Sequence, residues 1–434
     1  MDSDALPPSS KRPKVFEGQD GSQGKDAFSR LSDEILVHIL SFCSTKEAVR
    51  TSILSKRWKC IWMSVGRFIV MIDRHVPGSC VHSFLSAITK HKARSLMLCL
   101  PKKGEFVLPD SLFISESLRT FFLSMHCTLN LPRFICFSSL ESLSLGDVVF
   151  PDDETMQQLF SGFIVLKHLT FSDCDWKNIK EFTIGSSTLR SLIFAQMVFD
   201  KVNFFNCKII ISALKLETFK VYCYLMVELL PCNRLSLVEA SIDINQLIVR
   251  QPKHNHRLLK LLCGLQNVKS LHLSDQVLES VSFFRLNSSR RNLPLFNNLT
   301  KLKTCYRYIG RAILPMLQQS PNLKSLILSK GVKAEYQDMI GNIIPGCFKS
   351  CLKSVLIFNM SGDAGELCFL KYLYENASVL ERLGIACSAS SKLFEDVKKQ
   401  EEIHHQLQQL RGGSCSCKIE FHEHPSDLLK TFGF

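Results

Sequence analysis

The sequence predicts an α/β chain in which a small three-helix unit precedes a solenoid built on a curved parallel sheet. Three observations predict it: helical apolar spacing over residues 26–66, a six-residue apolar pattern recurring from Leu118 to Ile385, and a hydrophobic fraction of 46%. That fraction can fill a large core, and 434 residues suit two or three domains or one repeat array.

Residues 1–25 are rich in Pro, Ser, Gly and charge and lack any apolar period, so a disordered tail is expected. Within it, Lys11-Arg12-Pro13-Lys14 matches a short basic nuclear-import signal, a pattern that plain solvated tails also contain. From Asp26 the spacing becomes helical, and Ile35, Leu36, Ile39 and Leu40 paint one face. Ser32 stands where it can cap this helix, and Asp33 and Glu34 suit the positive end of its dipole. Ser44 and Glu47 form a capping box for a second helix bearing Ala48, Val49, Ile53 and Leu54. Ser55 opens a third, with Trp58, Ile61 and Trp62. So few residues make a poor independent core, which leaves apolar surface for a partner.

The repeat follows. An apolar-x-x-apolar-x-apolar hexamer begins at Leu118, Leu140, Leu166, Leu189, Leu216, Leu237, Val268, Leu299, Leu323, Leu352 and Leu380. The steps run from 21 to 31 residues, and most fall in the period of leucine-rich repeats. A weaker copy starts at Ala93, while Ala240 and Thr304 weaken the units at Leu237 and Leu299. Each hexamer is a short strand whose alternate side chains point inward, and stacked units share the core that one unit cannot close. The remaining strand positions line the concave side. Alternation puts Phe122, Ser144, His168, Thr170, Lys220, Tyr222, Asp243, His272, Lys301, Lys303 and Ile327 there. Of these, Phe122, His168, Lys220, Tyr222, His272, Lys301 and Lys303 are the candidate substrate-binding residues.

The formal net charge is +13, and most of it is concentrated. Twelve Lys and Arg lie between Arg250 and Arg311, opposed only by Asp275 and Glu279. Three readings stay open for this window. Its cations are scattered on loops and the convex side, or they form a surface for an acidic or phosphorylated partner or a bound polyphosphate, or they bind nucleic acid. No nucleic-acid motif accompanies the last. The first residues lack the apolar core of a signal peptide, and no window reaches the roughly 18 apolar residues of a membrane helix. The expectation is a soluble chain of the nucleus or cytoplasm, without membrane contact. There the 18 cysteines stay reduced and act as small buried hydrophobes, and the Asn-x-Ser/Thr triplets are chance matches.

Residues 26–62 resemble a plant F-box, on Ile39-Leu40-Ser41-Phe42, Thr45-Lys46-Glu47-Ala48-Val49-Arg50-Thr51-Ser52 and Leu54-Ser55-Lys56-Arg57-Trp58. The usual Leu-Pro before the first helix is Leu31-Ser32 here. Pro345-Gly-Cys347, Cys351 to Val355, Gly362 to Glu366, Lys371 to Leu383 and Leu410 to Phe421 resemble the FBD module that follows leucine-rich repeats in such proteins. The implied organisation is a tail (1–25), an F-box (26–66), leucine-rich repeats (67–335), an FBD that continues and caps them (336–421) and a C-terminal tail (422–434). The resemblance implies the substrate-recognition subunit of a Skp–cullin–F-box (SCF) ubiquitin ligase, which binds a Skp-type adaptor and, through it, cullin. The adaptor-binding candidates are Leu31, Ile35, Leu36, Ile39, Leu40, Val49, Leu54 and Trp58. The alternative is a repeat scaffold, nuclear and nucleic-acid associated, whose F-box has drifted out of use.

No phosphate loop, dinucleotide fingerprint, zincin helix or nucleophile elbow is present. His404-His405, His422-x-His424 and Cys415-x-Cys417 lack zinc-site spacing. A non-catalytic chain without cofactor or metal is expected.

Overall fold

The computed structural model describes residues 27–72, 76–101, 108–196, 205–223, 225–232, 236–244, 252–287, 293–305, 312–332, 343–360, 364–387, 401, 405 and 417–422. The Lys11–Lys14 motif, His404, His424 and Cys415 lie outside these residues. Two units divide at Val65 and Gly66.

In the first unit, α1 (Asp33–Ser41), α2 (Thr45–Arg50) and α3 (Trp58–Ile61) are accompanied by 3-10 turns before α1, after α2 and after α3. Leu36 and Leu40, one helical turn apart, are fully buried with Ala48, Trp58, Ile61 and Trp62. The capping box forms: the Glu47 amide donates to Ser44 Oγ at 3.3 Å, and the Ser44 amide donates to Glu47 Oε2 at 2.9 Å. Ser32 occupies the cap position of α1 in an extended conformation, yet its hydroxyl caps no backbone amide. It bonds the Glu34 carboxylate instead, which helps hold that carboxyl below its usual range. A long-range tie steadies this end of α1, because Arg57 Nε donates to Asp33 Oδ1 at 2.8 Å and its guanidinium also reaches the Leu31 carbonyl.

The second unit is a parallel sheet of fourteen strands among the described residues. They are β1 (Arg67–Met71), β2 (Ser95–Cys99), β3 (Thr120–Ser124), β4 (Ser142–Gly146), β5 (His168–Ser172), β7 (Ser191–Ala195) and β9 (Thr218–Tyr222). Then come β11 (Glu239–Asp243), β12 (Ser270–Leu273), β13 (Lys301–Thr304), β14 (Ser325–Leu328), β15 (Ser354–Met360), β16 (Arg382–Cys387) and β17 (Lys418–His422). Three further strands, β6 (Glu181–Ile184), β8 (Lys208–Ile211) and β10 (Glu228–Pro231), form a second parallel sheet in the order β10-β8-β6.

Among the described residues the register runs without a shift from β1 to β15, and it slips between Ile357 and Met360 where β15 meets β16. Leu143 pairs with Leu169, Leu169 with Leu192, and Leu192 with Phe219, so inward side chains form straight rows across the strands. Each buried Leu or Phe of such a row contributes about 1.5–3 kcal/mol by leaving water. The weak units fold as the rest do: Ala240 and Thr304 are fully buried in their rows. The return segments change type along the array. Helices α4 (Gly78–Lys90), α5 (Asp110–Phe113) and α6 (Asp153–Ser161) serve the early units. The β6, β8 and β10 strands serve the middle ones, and α7 (Pro252–Gly264), α8 (Asp275–Asn287), α9 (Leu314–Gln318), α10 (Gly346–Ser350) and α11 (Ala364–Asn376) serve the late ones. Where the return path turns from helix to strand, aromatic rings fill the core: Trp176 stacks on Phe182 at 5.7 Å and meets Phe171 edge-on at 5.1 Å.

One expectation is overturned on the outer face. Alternation places Ile327 on the binding surface, but it is 2% exposed and clusters with buried Leu356, Phe358 and Ala386. These outward positions are themselves apolar, so the face between β14 and β16 is core rather than open surface.

Gly264 ends α7 hard against β10: a Cβ there would stand 2.5 Å from the Pro231 carbonyl oxygen. Helix propensity alone would favour alanine by about 1 kcal/mol. Close contact reverses the sign, and Gly264→Ala is expected to lower stability by about 1–3 kcal/mol in urea titrations; an unchanged or raised midpoint would contradict this contact.

Candidate functional site

The predicted residues fall on two surfaces. On the helical unit, Ile35, Ile39 and Leu54 are exposed, while Leu31 and Val49 are half-buried. Leu36, Leu40 and Trp58 point inward and are closed to any docking partner. The correction follows from helix geometry, since a nine-residue helix has one face for its own core and one left over. Ile35, Ile39 and Phe42, spaced i, i+4 and i+7, form the leftover face. Phe42 (79% exposed) and Ile53 (88%) were missed, although Phe42 extends the spacing of Ile35 and Ile39. The outward residues Ile35, Ile39, Phe42, Ile53 and Leu54 give this small unit exposed apolar surface.

The second surface is the outer face of the large sheet. One cross-strand row reads Ile69, Met97, Phe122, Ser144, Thr170, Ile193, Lys220, Ser241, His272 and Lys303. Lys301 lies two residues from Lys303 on β13, and Tyr222 pairs with Asp243 beside the row. The sheet therefore gathers Lys220, Tyr222, His272, Lys301 and Lys303, while Phe122 and His168 lie several strands away on β3 and β5.

The basic group is structured. Ser241, almost fully buried, shares a hydrogen bond with His272 Nδ1 at 3.2 Å, and Cys305 Sγ lies 3.9 Å from Nε2. Lys220 pairs with Glu239 at 3.8 Å. Burial, and then the charge of Lys303, push the His272 imidazole below its usual range, while Asp243 and Glu239 pull the other way. Burial and Lys303 lower Lys301 likewise. Lys303 itself is exposed and forms no ion pair among the described residues. At the opposite end, the predicted Phe122 joins Ile69, Met97 and the 71%-exposed Met71 in an apolar patch, and sequence reasoning missed those three neighbours. Its strand β1 precedes the first recognisable hexamer.

The basic window does not act as one surface. Arg257 is buried, donating to the carbonyls of Leu225, Met226 and Phe205, and Lys260 pairs with Glu228. Arg250, Arg290, Arg291, Arg307 and Arg311 lie outside the described residues. A cavity of about 240 Å³ beside Arg257 and Glu228 has those two charges already engaged.

Among the described residues no group of three or more His, Cys, Asp or Glu could hold a metal, and no described helix is long and apolar enough to cross a membrane. Burial pushes Cys174, Cys207 and Cys347 up to about 12, which leaves them protonated packing groups. Cys43, Cys60, Cys80 and Cys263 are exposed, contrary to the expectation of buried thiols.

Two outcomes test these placements. Leu40→Ala should lower stability by about 2–5 kcal/mol in denaturant titrations, whereas Ile53→Ala should leave it almost unchanged; equal effects would contradict the inward–outward division. For His272, the unfolded imidazole near 6.5 takes its proton before the folded one. Stability linked to this group is thus whole above pH 6.5 and is lost as pH falls below it. His272→Gln should flatten the decline in urea midpoint between pH 7 and pH 5, and an unchanged decline would refute it.

Comparison with known proteins accords with this arrangement. The F-box domain model matches residues 28–69, the model described as FBD-associated F-box protein At5g56370, LRR repeats, matches residues 81–241, and the FBD model matches residues 342–385. F-box/FBD/LRR-repeat protein At1g78750 of Arabidopsis thaliana is 27% identical, covering 88% of this chain and 93% of its own. F-box/FBD/LRR-repeat protein At5g22660 (25%; 91% and 96%) and F-box/LRR-repeat protein 13 (26%; 88% and 93%), both of Arabidopsis thaliana, are similar over comparable spans. The chain thus carries an F-box, leucine-rich repeats and an FBD in that order, the arrangement named in its F-box/FBD/LRR-repeat relatives.

Proposed function

We propose that this protein is the substrate-recognition subunit of an SCF-type ubiquitin ligase. The F-box would dock on a Skp-type adaptor, and through it on cullin, while the outer face of the sheet holds a protein substrate. The observation that carries the reading is the apolar surface of Ile35, Ile39, Phe42, Ile53 and Leu54 on a unit whose own core is already closed by Leu36, Leu40 and Trp58. Such surface left to water is unfavourable, and burial against a partner removes about 25 cal/mol per Å² of that disadvantage. The mechanism needs no chemistry in this chain. Tethering a substrate beside a charged ubiquitin carrier raises its effective concentration, and that alone accelerates transfer. In this reading the protein works in the nucleus or cytoplasm and carries no cofactor.

The test is co-purification with a Skp-type adaptor. The wild-type chain should retain the adaptor, and Ile53→Asp/Leu54→Asp should lose it while keeping its helical circular dichroism, because both positions face solvent. A wild-type chain that captures no such adaptor would leave the scaffold reading in its place.

A further inference from the structure

The surface assigned above to a substrate has an internal layout. Phe122 and Lys303 occupy the same cross-strand row, seven strand steps apart. At about 4.8 Å per step they are roughly 34 Å apart along the sheet, the reach of about ten extended residues. Between them, Ser144 and Thr170 carry short hydroxyl side chains that let a backbone approach. The two ends differ in chemistry. Ile69, Met97 and Phe122 are apolar and partly open to solvent at one end. Lys301, Lys303 and the Ser241–His272 pair form the other.

We propose that the outer face binds an extended acidic segment of a protein partner at two places on this row. Carboxylate groups of the segment meet Lys301 and Lys303, and a large apolar side chain about ten residues away seats on Ile69, Met97 and Phe122. This rests on the sheet face being the substrate surface, and it adds the class of segment. Charge complementarity selects the acidic end: Lys303 has no ion pair among the described residues, and the two lysines stand on one strand. Burial and mutual repulsion already disfavour the Lys301 ammonium, so an arriving carboxylate relieves an existing penalty. Glu239 and Asp243 border the group on β11, which limits the charge an anion may carry past β12. A continuous polyanion such as nucleic acid would meet those carboxylates and then the apolar end. A segment with one acidic cluster and one apolar anchor meets neither obstacle.

Panning a display library of random peptides, each about sixteen residues long, against the full chain tests the layout. Recovered peptides should combine an acidic cluster with a large apolar residue about eight to twelve positions away. Lys301→Glu/Lys303→Glu should abolish the acidic preference, and Phe122→Asp should abolish the apolar one. Lys303→Ala, at an exposed position that the fold does not need, should weaken a recovered peptide about tenfold in fluorescence polarisation, mainly through faster dissociation or slower steered encounter. Absence of acidic enrichment, its persistence in the double-glutamate variant, or a single-stranded oligonucleotide that binds more tightly than every recovered peptide would overturn the proposal. Adaptor co-purification is scored on the same preparations. Its loss with selection intact removes only the ligase reading, and the reverse removes only this one.

Discussion

Leu143, Leu169 and Leu192 hold one register position on three successive strands, and each covers the core that its neighbour leaves open. Parallel pairing without a slip is what makes this possible. A shift of one residue would turn every inward side chain outward, so the buried row and the hydrogen-bond ladder enforce the same register. The return segments can then be helix or strand without disturbing the sheet. The exchange of α6 for β6 and of β10 for α7 along the array shows how little the inward row depends on what lies behind it. Even a unit with Ala240 or Thr304 in the row keeps its strand, because both neighbours impose the pairing.

The same alternation decided what the sequence could reveal. Strands carrying the hexamer were legible because spacing alone sorts their inward and outward positions. The strand β1 was not, since Arg67–Met71 stands before any recognisable copy. The short β6, β8 and β10 strands lack the hexamer, so the repeat gave no sign of them. Side chains that alternation places outward are exposed only where neighbours leave them so, which is why Ile327 beside Leu356 and Phe358 is core despite its position. On the F-box, spacing identified the apolar residues of α1 but could not say which face the other two helices would cover. Ser32 shows a similar limit: its position was legible, while its choice of the Glu34 carboxylate over a backbone amide depends on local geometry.

The two units divide the work differently. The helical unit is small, and the residues that hold it together are not those left for a partner, as Leu40 and Ile53 illustrate. The long sheet offers instead a broad outer face of moderate polarity, with apolar and cationic ends, on which affinity would come from several modest interactions. In the proposed ligase reading, such a face suits a receptor that releases its cargo after modification, since differences in affinity of this kind lie mainly in the rate of dissociation.

Inward and outward positions interleave along strands such as β3, β5 and β13, so there the residues that maintain the architecture are covalently adjacent to, yet energetically separate from, those that face outward. Leu302 secures β13 while Lys301 and Lys303 on either side of it face out. Exposed positions away from such supports change stability by about half a kilocalorie per mole or less when substituted. Selectivity in a scaffold of this kind can therefore be rewritten one rung at a time, by drift or by design, with the framework inherited intact.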